Sequence, residues 1–152
     1  MEHLQRIDLA TGRAFRYSHV LEEARSCTRR AFYNEARGVF SLTENGEEWT
    51  VLGNAMAILA GLSEDSDRIC RGFAEGEFSD CSLSMKCFQY DAMLQTDKEK
   101  WRPFVLSEIR KCYGDMLAAG SQTVWETMGG YTDFGNAGSL CHGWSAIPIC
   151  YL

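Results

Sequence analysis

The sequence predicts an all-α domain built from antiparallel helical hairpins. Apolar residues recur every three to four positions in several segments, which is the spacing of one face of an α-helix. Capping residues and glycines mark where these segments begin and end. Strand patterns are weak, and short links join the segments, so neighbouring helices are expected to run antiparallel. The length of 152 residues fits a single domain, residues 1–152.

Six helices are predicted, grouped as three hairpins. Ser18 is a good N-cap for the first helix and Gly38 a good stop, while Gly61 closes the second. Residues 63–65 form a cap that leads into a short third helix. A polar stretch with a turn at residues 11–12 comes before the first helix. In chain order, the predicted helices span residues 18–36, 47–60, 63–73, about 80–95, 98–119 and from 139 onward, with a short extended piece at 39–42.

The second half of the chain supplies the longest helices. The fourth predicted helix is apolar on most of its sides, so it is expected to lie deep in the domain. Asp97 caps the fifth helix and Gly120 closes it. Ser139 is expected to open the sixth helix, which Pro148 would kink.

Composition argues against a nucleic-acid or membrane protein. The net charge is −6 and the pI is about 5.1, whereas phosphate recognition needs a basic face. No apolar run approaches the roughly 20 residues that span a bilayer. Arg25, Arg29 and Arg30 lie at helical spacing among several glutamates, which predicts a solvated, salt-bridged helix face.

The seven cysteines are expected to be reduced, in a cytoplasmic protein. Their number is odd, no CxxC pair occurs, and the first residues do not form a signal peptide. No phosphate-binding loop, dinucleotide fingerprint, HExxH or GxSxG motif occurs either. We therefore expect no cofactor.

Residues 121–152 hold the strongest candidates for chemistry. Glu126 follows Trp125, and a carboxyl group beside an aromatic ring is partly desolvated and suited to proton transfer. After a glycine-rich stretch come His142, which can hydrogen-bond a ligand, and Trp144. The two tryptophans could form a stacking platform for a sugar. The alternative is that Glu126 is a capping residue and that the histidine and tryptophans serve packing.

A zinc site is a further alternative. Cys141-His142-Gly143 resembles the Cys-His-Gly zinc motif of lanthionine cyclases, which are helical toroids. Cys112, followed by Tyr-Gly, would supply a second thiolate, but the Trp that precedes this cysteine in that family is absent. Two thiolates and an imidazole can hold a catalytic zinc with one open position. Cys112 falls on the apolar stripe of the fifth predicted helix, which favours packing, and no bound metal is expected.

Several segments resemble the end of the catalytic domain of bacterial α-L-rhamnosidases. Residues 113–120 read YGDMLAAG, residues 123–126 read TVWE, and residues 139–148 read SLCHGWSAIP. Upstream, residues 32–35 (FYNE) and 53–55 (GNA) are also similar to that domain. The resemblance covers most of the chain.

The resemblance implies a fold and a reaction. These enzymes are six-hairpin glycosidases, (α/α)6 toroids that hydrolyse terminal α-L-rhamnosides with inversion. An acid protonates the leaving oxygen and a base activates water on the opposite face, with the two carboxyl groups roughly 6.5–9.5 Å apart. Glu126 matches the general base, while Trp125, His142 and Trp144 would line the sugar subsite. No residue matches the family's general acid.

Six helices make about half of a twelve-helix toroid. The apolar faces left uncovered would be covered by self-association or by the remainder of the toroid. With one acid of the two, this chain alone is expected to have little or no hydrolase activity. The remaining alternative is a non-catalytic helical module whose apolar faces bind a protein.

Overall fold

The chain folds mostly into helices, which confirms the predicted all-α class. The computed structural model describes residues 2–12 and 17–152, with side chains described from residue 6 onward. The helices are α1 (Glu2–Ala10), α2 (Ser18–Phe32), α3 (Val51–Leu59), α4 (Ser66–Glu75), α5 (Lys86–Thr96) and α6 (Lys98–Ala118). Two short antiparallel strands, β1 (Tyr33–Asn34) and β2 (Val39–Phe40), lie between α2 and α3. Short 3-10 turns occupy Leu83–Met85, Gly130–Thr132, Gly143–Ser145 and Ile147–Cys150, and one irregular helical turn occupies Asp133–Asn136.

Helix α5 is the centre of the domain. It contacts α3, α4 and α6, and its residues Tyr90, Ala92 and Met93 are completely buried. This confirms the deep position predicted for the fourth helix. The surrounding core comes from the facing sides of the neighbouring helices, which contribute Ala55, Ile58, Ile69, Phe73, Trp101, Val105 and Ile109.

Helix α2 ends four residues earlier than predicted. The chain leaves the helix at Tyr33 to form β1, which pairs with β2. Gly38, predicted as the helix stop, instead closes this hairpin with a φ of +70° and donates its N–H to Asn34. The extended piece predicted at 39–42 is partly confirmed, as β2.

Polar contacts hold α2 to the rest of the domain, because none of its residues is buried. Arg29 donates to the Leu62 carbonyl at 3.1 Å and forms an ion pair with Glu64 at 2.9 Å. Arg25 pairs with Glu22 at 3.0 Å on the same helix. The predicted salt-bridged helix face is therefore present, although Arg29 finds its partner on the link between α3 and α4.

Helix α1 was not predicted from the sequence. Among the residues of α1 whose side chains are described, Ile7 and Leu9 are exposed and so mark no buried apolar stripe. The turn predicted at residues 11–12 is present and ends α1. The N–H and hydroxyl groups of Thr11 both donate to the Ile7 carbonyl, and Gly12 adopts a φ of +69°.

The sixth helix predicted from Ser139 does not form, and that prediction was wrong. The segment begins extended and continues as the two 3-10 turns at Gly143–Ser145 and Ile147–Cys150. At its start, backbone groups bond to a distant segment: the carbonyl of Ser139 accepts from the Glu126 N–H, and the N–H of His142 donates to the Val124 carbonyl. Such non-local pairing leaves no periodic signal in the sequence.

Candidate functional site

The two motifs singled out in the sequence lie side by side. The backbone N–H of Glu126 donates to the Ser139 carbonyl at 2.9 Å, and that of His142 donates to the Val124 carbonyl at 2.8 Å. The Thr123 hydroxyl adds a hydrogen bond to the Leu140 carbonyl. Residues 123–126 and 139–142 therefore form a hydrogen-bonded pair of segments, called here the paired segments.

Two glycines allow the loop between the paired segments to close. A Cβ atom on Gly138 would lie 1.8 Å from the carbonyl oxygen of Gly130, so only glycine fits there. Gly130 has a φ of +55°, and a Cβ on it would lie 2.9 Å from the Trp125 ring. Both glycines are buried. These two glycines therefore allow the chain to turn back, so that Ser139 lies beside Glu126.

Replacing Gly138 with alanine is expected to destabilise the protein by about 1–3 kcal/mol, because the added methyl group must displace the Gly130 backbone. Gly114→Ala is the matched control. Gly114 lies inside α6 with open space around its Cβ position, so alanine there is expected to stabilise by up to about 1 kcal/mol. Urea unfolding measures the change in the free energy of unfolding of each variant. A change of the same sign in both variants would contradict the described loop geometry.

Glu126 is half-buried and held by the opposite segment. Its Oε2 accepts from the Ser139 N–H at 3.4 Å, which is a long and weak hydrogen bond. In the part of the chain that the structure describes, no lysine or arginine forms an ion pair with it. The carboxylate therefore has no cationic partner among the described residues.

The other three predicted site residues differ in exposure. Trp125 packs against Leu83, Cys112 and Met116, and its ring N–H donates to the Ser121 hydroxyl at 2.8 Å. His142 is half-buried, at the end of the paired segments, and Trp144 is 77% exposed. Trp125 is therefore half-buried against this small apolar cluster, while Trp144 presents its ring to solvent.

The segment after His142 is anchored to the helical core. The Tyr113 hydroxyl, on α6, donates to the carbonyl of the fully buried Ser145. Burial raises the pKa of Tyr113, so the phenol stays protonated and able to donate at all ordinary pH values. Further along, the Tyr151 hydroxyl donates to Asp91 on α5 at 2.8 Å. These anchors to α5 and α6 fix the position of His142 and Trp144.

A cleft of about 420 Å³ opens beside the paired segments, and the sequence did not reveal it. It lies between the start of α5, the middle of α6 and residues 127–128, directly after Glu126. Its polar lining includes the buried Lys86, whose Nζ lies 2.6 Å from Asp80 and 4.0 Å from Glu108. Lys86 is the first residue of α5, and the sequence gives no local signal that this lysine is buried.

The zinc alternative is not supported by the side-chain arrangement. Among the described residues, no three histidine, cysteine, aspartate or glutamate side chains converge as a metal-binding set. Cys112 is buried beside Leu83 and Met116, whereas Cys141 is exposed. The convergence of Cys112, Cys141 and His142 that this alternative requires is therefore not formed. The seven cysteines are all unpaired thiols.

Comparison with known proteins does not assign the chain to a class. No family model matches it, and neither a curated protein nor a solved structure shows significant similarity. Within residues 2–12 and 17–152, no helix combines the length and apolar character needed to cross a bilayer.

Proposed function

We propose that this chain carries the water-activating half of an inverting glycoside hydrolase site for terminal α-L-rhamnosides. The observation that carries the proposal is the pairing of residues 123–126 with residues 139–142. These are the segments that resemble the α-L-rhamnosidase motifs, and the pairing places Glu126 and His142 on neighbouring strands of chain. A positioned carboxylate without a cationic partner has the chemistry of a general base.

In the proposed mechanism, Glu126 accepts a proton from water as the water oxygen attacks the anomeric carbon. The attack comes from the ring face opposite the leaving oxygen, so the configuration at that carbon inverts. His142 and Trp144 contact the sugar, the histidine through a hydrogen bond and the tryptophan through its exposed ring face. Trp125 lines the base of the subsite, where its packing and its bond to Ser121 hold Glu126 in place.

The proposed fold is about half of an (α/α)6 toroid. Its support is the succession of helices, since α3 contacts α4, α4 contacts α5, and α5 contacts α6. The C-terminal third also exposes large apolar side chains, among them Phe134, Ile149 and Leu152. Such residues are expected where further helices of a toroid, or a second copy of the chain, would pack.

A substrate whose leaving group needs no protonation tests this function. Fluoride departs without acid assistance, so a site that has only the base should hydrolyse α-L-rhamnosyl fluoride faster than buffer does. The same protein should leave methyl α-L-rhamnoside intact, because its alkoxide leaving group requires the general acid. Fluoride release measured with an ion-selective electrode gives the rate. A rate equal to that of buffer would contradict the proposal. Rapid cleavage of the methyl glycoside would contradict the claim that the chain carries the general base without the general acid.

A further inference from the structure

A further cavity, of about 380 Å³, lies between the β1–β2 hairpin and helix α4. This volume is within the range of small-molecule sites. Arg37 and Val39 line the cavity from the hairpin, Arg68 lines it from α4, and Trp49 lines it from the segment before α3. All of its lining residues lie within residues 37–78, so the cavity is formed without the paired segments.

Hydrogen bonds between distant segments hold the backbone around this cavity. The Ser79 N–H donates to the Trp49 carbonyl at 2.9 Å, and the Val51 N–H donates to the Ser79 carbonyl at 2.9 Å. Phe78, which also lines the cavity, is only 8% exposed and packs against α4, where a Cβ atom on Gly72 would lie 2.3 Å from its ring. The cavity is therefore preformed, which lowers the entropic cost of binding a ligand.

Arg37 brings a guanidinium group without a carboxylate partner to the cavity. Its backbone is fixed in the hairpin turn, where its N–H donates to the Asn34 side chain at 3.0 Å. Its guanidinium carbon lies 4.3 Å from the centre of the Trp49 ring, a cation–π contact that restricts the side chain. Within the described residues, no aspartate or glutamate forms an ion pair with it. Its N–H groups can therefore donate to an anion in the cavity.

Arg68 supplies a second guanidinium group, and its donors are only partly used. Its Nη2 donates to the Glu77 Oε2 atom at 2.9 Å. A guanidinium group has five N–H donors, so this single hydrogen bond leaves others for a ligand. The Arg68 side chain is 30% exposed, so a molecule that enters from solvent can reach it.

The charge of the cavity is opposite in sign to that of the whole chain. Two guanidinium groups and one carboxylate, that of Glu77, line the cavity, which gives an excess of one positive charge in a protein of net charge −6. A monoanion balances this excess, whereas a dianion would leave uncompensated negative charge beside Glu77. Among monoanions, a carboxylate has two oxygens that match the N–H groups of a planar guanidinium.

We propose that this cavity binds a small organic carboxylate, with Arg37 and Arg68 as donors to its oxygens. Val39 and Phe78 contact its hydrocarbon part, because they supply the apolar lining beside the two guanidinium groups. Hydrolysis at Glu126 and binding at this cavity use different segments of the chain, so each can be tested without the other.

Titration with benzoate, followed by chemical-shift changes in the protein's NMR spectrum, tests the site. We expect saturable binding of benzoate and roughly tenfold weaker binding of benzamide, which has the same shape without the charge. Sulfate, a dianion without a hydrocarbon part, is also expected to bind more weakly than benzoate. Equal affinities for benzoate and benzamide, or tighter binding of sulfate, would overturn the proposal. These titrations use the wild-type protein, so they do not depend on the folding of a variant.

Three substitutions test whether benzoate binds at this cavity. Arg37→Gln is expected to weaken its binding roughly tenfold, because a charged donor is lost. Glu77→Gln is expected to strengthen binding, because it removes the carboxylate that competes for Arg68. Arg102→Gln is the matched control: it removes the same charge from an exposed position of α6 and should bind benzoate as the wild type does. Unchanged affinity in Arg37→Gln, or weaker binding in Glu77→Gln, would contradict the assignment of the site.

Discussion

Glu126→Gln is expected to reduce the hydrolysis of α-L-rhamnosyl fluoride by about 10²–10⁴-fold, which is the usual contribution of a general base. Glutamine keeps the size of the side chain and its oxygen opposite the Ser139 N–H, so the paired segments should persist. What it removes is the basic oxygen that accepts the proton of the attacking water. Initial rates of fluoride release at equal protein concentration measure the effect.

Glu23→Gln is the matched control for this prediction. Glu23 is an exposed glutamate of α2, and the same change there alters net charge equally. The Glu23→Gln protein should hydrolyse α-L-rhamnosyl fluoride at the wild-type rate. A Glu126→Gln protein that retains a third or more of the wild-type rate would show that Glu126 is not the base.

Met93→Ala is expected to lower the free energy of unfolding by about 2–5 kcal/mol. Met93 is completely buried on α5, the helix that contacts α3, α4 and α6, so truncation leaves a cavity at the centre of the domain. Urea unfolding followed by circular dichroism measures the change through the transition midpoint at constant slope.

Met56→Ala provides the comparison, because Met56 lies on α3 with 47% of its surface exposed. Its truncation removes few packing contacts and should cost less than about 1 kcal/mol. If the two variants unfold at the same urea concentration, α5 is not the centre of the core.

Local signals explain why most of the helices could be predicted. Two of the predicted N-caps are real contacts: Asp65 accepts from the Arg68 N–H at 2.9 Å, and Asp97 accepts from the Lys100 N–H at 3.0 Å. The prediction that Ser18 caps the first helix was wrong, because Ser18 is the first residue of α2 and no described side chain caps this helix. These contacts and the apolar periodicity lie within a few residues of each other, so the sequence displays them directly. The predicted helices that became α2 to α6 all had such signals.

The wrong prediction at Ser139 has a non-local cause. The apolar run after Ser139 has the local pattern of a helix start. In the structure, however, the Ser139 carbonyl accepts a hydrogen bond from the Glu126 N–H, and the His142 N–H donates one to the Val124 carbonyl. The closed glycine loop at Gly130 and Gly138 makes this pairing possible. Pairing across a loop depends on tertiary geometry, which residue spacing does not encode.

The same distinction between local and non-local signals applies to the residues of the candidate site. Glu126, His142 and Trp144 could be identified because aromatic and polar residues cluster along the sequence. The cleft could not, because Lys86 comes from α5, Glu108 from α6 and Thr127 from the loop after the first motif. Only the folded chain brings these groups to one cavity.

The configuration of the first-formed product tests the central claim that Glu126 directs water to the face opposite the leaving group. Proton NMR of the anomeric signals, recorded in the first minutes after α-L-rhamnosyl fluoride is added, distinguishes the two anomers before mutarotation mixes them. We expect β-L-rhamnose to form first in the wild-type protein and no enzymatic product in Glu126→Gln. Initial formation of the α-anomer would mean retention and would contradict the assignment of Glu126 as the base of an inverting site.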